Sequence, residues 1–303
     1  MKKAIVTGAN GFIGRAVIKE LIKNDVEVFA LCHKIPDEKI ISELITYKQF
    51  ELNNIEELLD YSNYGYDTFY HFAWAGSDVY DRVNSKLQLE NVQWTIDMVR
   101  LAQKLGCSRF VGAGSIMEHE SIAASYSDGN KPGLGYIYGS AKMAAHTMAV
   151  SVAANIGIDL IWAEITNAYG AGEISNRLVN STLRKVIKGE SPQFTSGMQN
   201  YDFIYIDDVA RAFYFIGEKG KPFHSYLIGS GSAKPLKEFL LEMKDETAPD
   251  LDFIFGDVPF TGINLDISVF DTSKTEKDTG FKAEISFKEG IRKTYLWLKD
   301  KEK

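Results

Sequence analysis

Cysteine is scarce: two in 303 residues, Cys32 and Cys107, both in apolar-flanked segments. A disulfide framework is excluded, and a cytoplasmic location is expected. Long apolar runs are missing too. Nothing approaches the roughly 20 residues of a membrane span, and the first apolar stretch, Ala4-Ile5-Val6, stops at Thr7, too short for a secretory signal core. No membrane partner is expected. Lysine and arginine never gather into a run and the net charge is −7, which argues against a nucleic-acid groove. An anionic ligand would have to rely on helix ends and a few local cations. The histidines, at 33, 71, 119, 146 and 224, lack HExxH spacing, so no metal site is expected. Internal repeats, low-complexity tracts and linkers are also absent, and the length suits one large domain or two closely joined ones.

What is present begins with a glycine turn. Thr7-Gly8-Ala9-Asn10-Gly11-Phe12-Ile13-Gly14 follows an apolar run rich in β-branched residues and leads into a helical pattern from Arg15 to Ile22. In that setting Gly8 permits a tight turn, Gly11 lets a pyrophosphate approach the backbone, and Gly14 lets helix and strand pack closely. The unpaired N–H groups of the helix start then face the phosphates. Gly8, Asn10, Gly11, Phe12, Ile13 and Gly14 are the first candidate cofactor contacts.

Strand-like runs at 3–7, 26–32, 48–52, 67–72, 109–113 and 158–164 alternate with helical patterns at 12–23, 54–60, 84–105 and 138–156. This rhythm predicts an α/β fold of the Rossmann type, a doubly wound parallel sheet covered on both faces. Its ligands should lie at the carboxyl ends of the strands. Beyond about residue 170 the rhythm breaks. Residues 1–168 plus about 200–217 are expected to form the dinucleotide-binding domain. About 169–199 plus 218–303 are expected to form a smaller mixed α/β lobe for substrate, including a strand at Ser225–Ile228.

Tyr138 and Lys142 stand four apart in a helical pattern, which places both on one face. A nearby ammonium is expected to favour the phenolate and lower the tyrosine pKa toward neutrality, for proton exchange with a carbonyl or alcohol. Ser115, closing the 109–113 strand, can polarise the same oxygen. Tyr295 and Lys299 share the spacing without a strand end or glycine loop nearby, and read as an exposed helix face.

With these residues in view, the chain resembles the extended short-chain dehydrogenase/reductase superfamily, in its nucleotide-sugar epimerase, dehydratase and reductase branch. The likeness runs through TGANGFIG at 7–14, YHFAWAG at 70–76, ENVQWT at 90–95, RFVGAGS at 109–115, YGSAK at 138–142, NAYGAG at 167–172 and YDFIYIDDVA at 201–210. The tail FDTSKTEKDTGF at 270–281 continues it. The resemblance implies Tyr138 as acid/base, Lys142 as its partner and holder of the cofactor ribose, and Ser115 as carbonyl anchor. Asn91 matches an asparagine beside the active site, and Asn53, Ala73 and Trp74 complete the candidate cofactor contacts.

Departures from the family pattern narrow the chemistry. NAD-dependent members usually end the second strand with an acid on the ribose; here Ala30-Leu31-Cys32-His33-Lys34 has none. His33 and Lys34 instead favour a 2′-phosphate, so NADP(H) is expected, with NAD(H) possible through Asp37 or Glu38. Sugar 4,6-dehydratases carry an Asp-Glu pair after the serine, whereas this chain has Ile116-Met117, which moves no proton. Reduction of a 4-keto sugar nucleotide is the expected reaction. The alternatives are a nucleotide-sugar 4-epimerase with tightly bound NAD, and a non-catalytic dinucleotide sensor. An arginine usual before DFIYIDD is Tyr201 here. Glu118, Asn167, Asn176, Arg177 and Tyr201 are the candidate substrate contacts. The helices at 84–105 and 138–156 carry Leu87, Trp94, Met98, Met143, Met148 and Val152 on more than one face; the resemblance implies a homodimer through them.

Overall fold

The structure is a computed structural model and describes residues 1–77 and 81–302. The first half alternates broadly as expected, except that the strand expected at 48–52 lies at Ile45–Gln49 and the helix expected at 54–60 is a 3-10 helix, Ile55–Tyr64. It runs β1 (Lys3–Thr7), α1 (Phe12–Lys23), β2 (Glu27–Cys32), β3 (Ile45–Gln49), β4 (Thr68–His71), α2 (Ser85–Lys104) and β5 (Arg109–Ser115). Then come α3 (Met117–Tyr126), α4 (Tyr136–Ile156), β6 (Asp159–Ile165), β7 (Asn167–Tyr169), α5 (Leu178–Ile187), β8 (Gln193–Phe194), β9 (Asn200–Tyr201) and β10 (Phe203–Tyr205). The rest is α6 (Ile206–Lys219), β11 (His224–Ile228), β12 (Lys234–Pro235), α7 (Leu236–Thr247), β13 (Ile254–Phe255), α8 (Ser273–Thr279) and α9 (Phe287–Lys301).

Seven strands form one sheet in the order β11-β6-β5-β4-β1-β2-β3, and every pairing is parallel. The pleat divides side chains between two layers. Ala4 and Val6 of β1, with Val28 and Ala30 of β2, pack beside Val17 and Leu21 of α1 and Phe213 of α6. Ile5, Phe29 and Leu31 point the other way, into Val92 and Ile96 of α2 and Ala145 and Ala149 of α4. Strands buried on both faces read as continuous apolar runs, as these do. Each of the valine, leucine, isoleucine and phenylalanine side chains contributes about 1.5–3 kcal/mol by leaving water.

The strand expected in the smaller lobe belongs to the sheet instead. His224–Ile228 pairs with β6, Tyr226 opposite Ala163 and Ile228 opposite Ile165. Tyr226 and Ile228 are completely buried, so only a sheet edge satisfies both the backbone and the side chains. What remains outside consists of β7 with β10, β9 with β12 and β8 with β13, together with α5, α7, α8 and α9. No helix among the described residues is long and apolar enough to cross a membrane.

Candidate active site

The turn after β1 is built by its glycines. Gly8 takes φ +65°, and a Cβ on it would lie 2.6 Å from the Ala73 nitrogen. Gly11 donates its N–H to the Gly8 carbonyl at 2.9 Å and caps α1 with no side chain on the free N–H groups. At Gly14 a Cβ would stand 2.3 Å from the Gly8 oxygen. Backbone donors therefore face open space at a helix start, the geometry a pyrophosphate requires. Phe12 and Ile13 begin α1, and Ile13 also walls the adjoining cleft.

At the end of β2, His33 and Lys34 are exposed and His33 Nδ1 lies 2.8 Å from Glu51. The cation that the sequence reading missed here is Arg15. It reaches back from α1 to donate to the Glu38 carbonyl at 3.1 Å and to Asn10 Oδ1 at 3.5 Å, while Asn10 Nδ2 donates to the Lys34 carbonyl. Only its position one turn into a glycine-capped helix could have signalled it. Asn53 is exposed beyond β3.

The loop after β4 is held by buried amides. Asn91, 1% exposed, accepts the Ala75 N–H and donates to the Ala75 and Leu87 carbonyls. It thereby ties the Ala75 backbone to α2 and positions the loop that carries Ala73 and Trp74. Trp74 Nε1 donates to Gln88 Oε1 at 2.8 Å. Beneath them, His71 Nδ1 meets Thr7 Oγ1 at 2.7 Å and Nε2 meets Thr95 Oγ1 at 3.3 Å. Thr95 donates to the Asn91 carbonyl, so its oxygen accepts from Nε2–H and the ring is neutral with Nδ1 accepting. Burial, then Lys142, pushes His71 down to about 3. The unfolded chain therefore binds the extra proton between pH 6.5 and 3, and stability contributed here is lost as pH falls through that window. His71→Gln should be less stable than the native protein at pH 7. The gap should narrow by on the order of 3 kcal/mol by pH 4, and denaturant unfolding that shows a constant gap would contradict this.

Ser115, Tyr138 and Lys142 converge at the end of β5. Tyr138 lies beside Ser115, whose hydroxyl favours the phenolate, and Ser115 Oγ accepts the Met117 N–H at 3.2 Å. Lys142 Nζ donates to the Ala113 carbonyl at 2.8 Å and lies 3.7 Å from the Trp74 ring centre, but 5.9 Å from that of Tyr138. Burial lowers Lys142 to about 7. The expected depression of Tyr138 is reversed. Burial raises it, and the cations that oppose the rise are Arg82, 4.4 Å over its ring, and Arg177. Helical spacing put the lysine on the right face without saying which cation would come closest. Tyr295 and Lys299 repeat the pair at 5.8 Å on α9, away from the strand ends.

A cleft of about 250 Å³ opens beside this group, walled by Ser115, Tyr138, Asn167, Arg177 and Tyr201. Arg82, Thr166, Glu173 and Asn180 also line it and escaped the sequence reading. Asn180 sits three residues beyond Arg177 in the first turn of α5, and its Oδ1 is buried without a partner. Asn167 donates to the Asp202 carbonyl, and Tyr201 stacks on Phe203 at 5.6 Å. Two expected contacts fall outside. Asn176 is exposed and accepts from Arg184 at 2.9 Å. Glu118, 2% exposed, turns beneath β5, where it accepts the Ser115 N–H at 2.8 Å and the Trp162 Nε1–H at 3.1 Å.

The model of the NAD-dependent epimerase/dehydratase family matches residues 4–229. The chain belongs to that family. It is accordingly an enzyme of nucleotide-sugar type by descent. CDP-abequose synthase of Salmonella muenchen is 25% identical over 301 residues, covering 96% of each chain. The dTDP-glucose 4,6-dehydratase of Haemophilus influenzae is 22% identical over 341 residues, covering 98% of each. Among solved structures, MoeE5 in complex with UDP-glucose and NAD superposes with a TM-score of 0.80 at 21% identity, covering 99% of this chain and all of that one. UDP-glucose 4-epimerase of Thermotoga maritima, with UDP-glucose, gives 0.79 at 18%, with the same coverage. These likenesses place the family member's whole length within the shared Rossmann-like fold.

Proposed function

We propose that this enzyme reduces a 4-keto sugar nucleotide with NADPH. The observation that carries the reading is the Tyr138 phenol, held protonated by burial and facing the cleft beside Ser115. A proton donor is what reduction of a ketone needs, and the geometry supplies it in the right state at neutral pH. With its pyrophosphate bound in the Gly8–Gly14 cradle, a nicotinamide dinucleotide would supply hydride to C4. Ser115 Oγ–H donates to the keto oxygen, and Tyr138 gives that oxygen its proton as it becomes an alcohol. The phenolate left behind is stabilised by Arg82 and Arg177, the two cations that act on it. Lys142 holds the ribose hydroxyls beside it.

Arg177 and the uncapped start of α5 are positioned for the diphosphate, with Asn167, Asn180 and Tyr201 along the nucleotide. The absence of an acid after Cys32, with Arg15 and Lys34 there instead, supports NADPH over NADH. Changing Arg15 and Lys34 together to alanine should raise KM for NADPH by roughly 10- to 100-fold, from lost charge-assisted bonds, and leave KM for NADH within about twofold. An equal effect on both would remove the 2′-phosphate assignment.

One observation favours 4-epimerisation as a second reading. Structural neighbours spanning nearly all of this chain carry NAD or are UDP-glucose 4-epimerases by name. Mass spectrometry of ligand released from the purified enzyme separates the two. The reductase reading expects no retained nicotinamide and NADPH oxidation on adding keto sugar nucleotides; retained NAD with interconversion of C4 epimers would replace it with the second. NADPH binding without either turnover would leave a dinucleotide sensor. A homodimer through α2 and α4, where Leu89 and Met148 are exposed, completes the proposal, and sedimentation of Met148→Glu as a monomer is its expected signature.

A further inference from the structure

Glu118, His146 and Glu164 converge on one point between α3, α4 and β6. Their ligand atoms all lie within 4.8 Å of one another. His146 Nδ1 stands 3.2 Å from Glu118 Oε2 and 3.9 Å from Glu164 Oε1. We propose that these three side chains form a binding site for one divalent transition-metal ion. The reading is independent of the sugar-nucleotide chemistry.

Donor chemistry favours it. One imidazole nitrogen with two carboxylate oxygens suits Zn²⁺ or its neighbours. Ligand atoms about 2.0–2.2 Å from an ion stand roughly 3.3–3.6 Å apart in a tetrahedral set, so separations of 3.2 Å and 3.9 Å, with all atoms within 4.8 Å, are closed by side-chain rotation. Charge favours it as well. Two carboxylates with restricted access to water carry −2, a protonated imidazole leaves −1, and a divalent ion with a neutral imidazole leaves none.

The surrounding partners are those that orient metal ligands. His146 Nε2 meets Ser225 Oγ at 3.1 Å, and the ring stacks on Trp162 with centres 4.8 Å apart. Glu118 Oε1 is fixed by the Ser115 N–H and Trp162 Nε1–H, which leaves Oε2 for the shared point. Glu164 Oε2 is held by His119 Nε2 at 3.0 Å, which leaves Oε1. A surface cavity of about 340 Å³ lined by His146, Trp162, His224 and Ser225 opens beside the His146 ring. The three residues are 28 and 18 positions apart in sequence, so no short motif announces them.

An ion must displace any proton on Nδ1, so affinity falls as pH falls. The groups that bear on that nitrogen are Glu118 of α3, Glu164 of β6, His119 beyond Glu164, and His224 across the cavity on β11; Lys142 acts on Glu118 from α4.

Titration of the whole protein with ZnCl2 by calorimetry at pH 7.5 should give one saturable site, on the order of 100-fold weaker in His146→Asn and in the isosteric Glu164→Gln. Crystals soaked in ZnCl2 should show an anomalous peak bonded to Nδ1 and both carboxylates, which needs no variant to fold. Absence of a peak there, or variants that bind like the native protein, overturns the proposal.

Discussion

Tyr138→Phe should bind NADPH as the native enzyme does and turn over on the order of 10²–10⁴ times more slowly. The substitution removes one oxygen from a ring that stays in place, stacked edge-on to Trp74 at 5.9 Å and covered by Arg82. Stability should change little, because the lost hydroxyl faces the cleft beside Ser115 rather than the packed core. What disappears is the proton the new alkoxide must receive. Water entering the cleft replaces it poorly, since the Arg82 and Arg177 charges stabilise a phenolate that no longer forms. Fluorescence titration with NADPH and steady-state turnover on the same preparation check both halves. Unchanged turnover would remove Tyr138 from the mechanism.

Gly8→Ala should cost on the order of 3 kcal/mol of stability, the sum of a left-handed backbone and an overpacked contact. At φ +65° the new Cβ would sit 2.6 Å from the Ala73 nitrogen and 2.7 Å from the Phe72 carbonyl carbon. Those atoms cannot yield easily, because β4 is hydrogen-bonded in register to β1, His71 opposite Thr7. Relief must come from the turn itself, which moves the donors at the start of α1. Dinucleotide affinity should therefore fall about 100-fold, equivalent to two charge-assisted hydrogen bonds. Thermal unfolding and a binding titration measure the two losses. Ala at this position with native affinity would mean that the turn does not hold the pyrophosphate.

Local patterns with one physical meaning were legible in the chain. Apolar runs at strand length became the sheet, and glycines between strand and helix became the turn, because each rests on neighbours close in sequence. Met117–Tyr126 escaped because it carries no apolar stripe: its helix is held by Glu118, Ser121 and Ala124 turned inward. Glu118 itself reads as a loop acid until Trp162, 44 residues later, supplies its partner. That tryptophan needs Gly112 and Gly114, where a Cβ would lie 2.3 Å from its ring, a dependence no spacing reveals. Tyr138 and Lys142 were found by their four-residue interval, yet the charge balance around Tyr138 depends on Arg82, just before α2 and 56 residues earlier in sequence. Strand β11 follows an interrupted region, and only its pairing with β6 assigns it to the sheet.

The central claim is that hydride passes from exchangeable NADPH to C4 of a keto sugar nucleotide. Turnover with NADPH deuterated at the transferable position, followed by mass spectrometry and NMR of the product sugar, tests it directly. One deuterium at C4 for each NADPH consumed is the expected result. Product sugar formed without deuterium, or C4 inversion with no NADPH consumed, would contradict it.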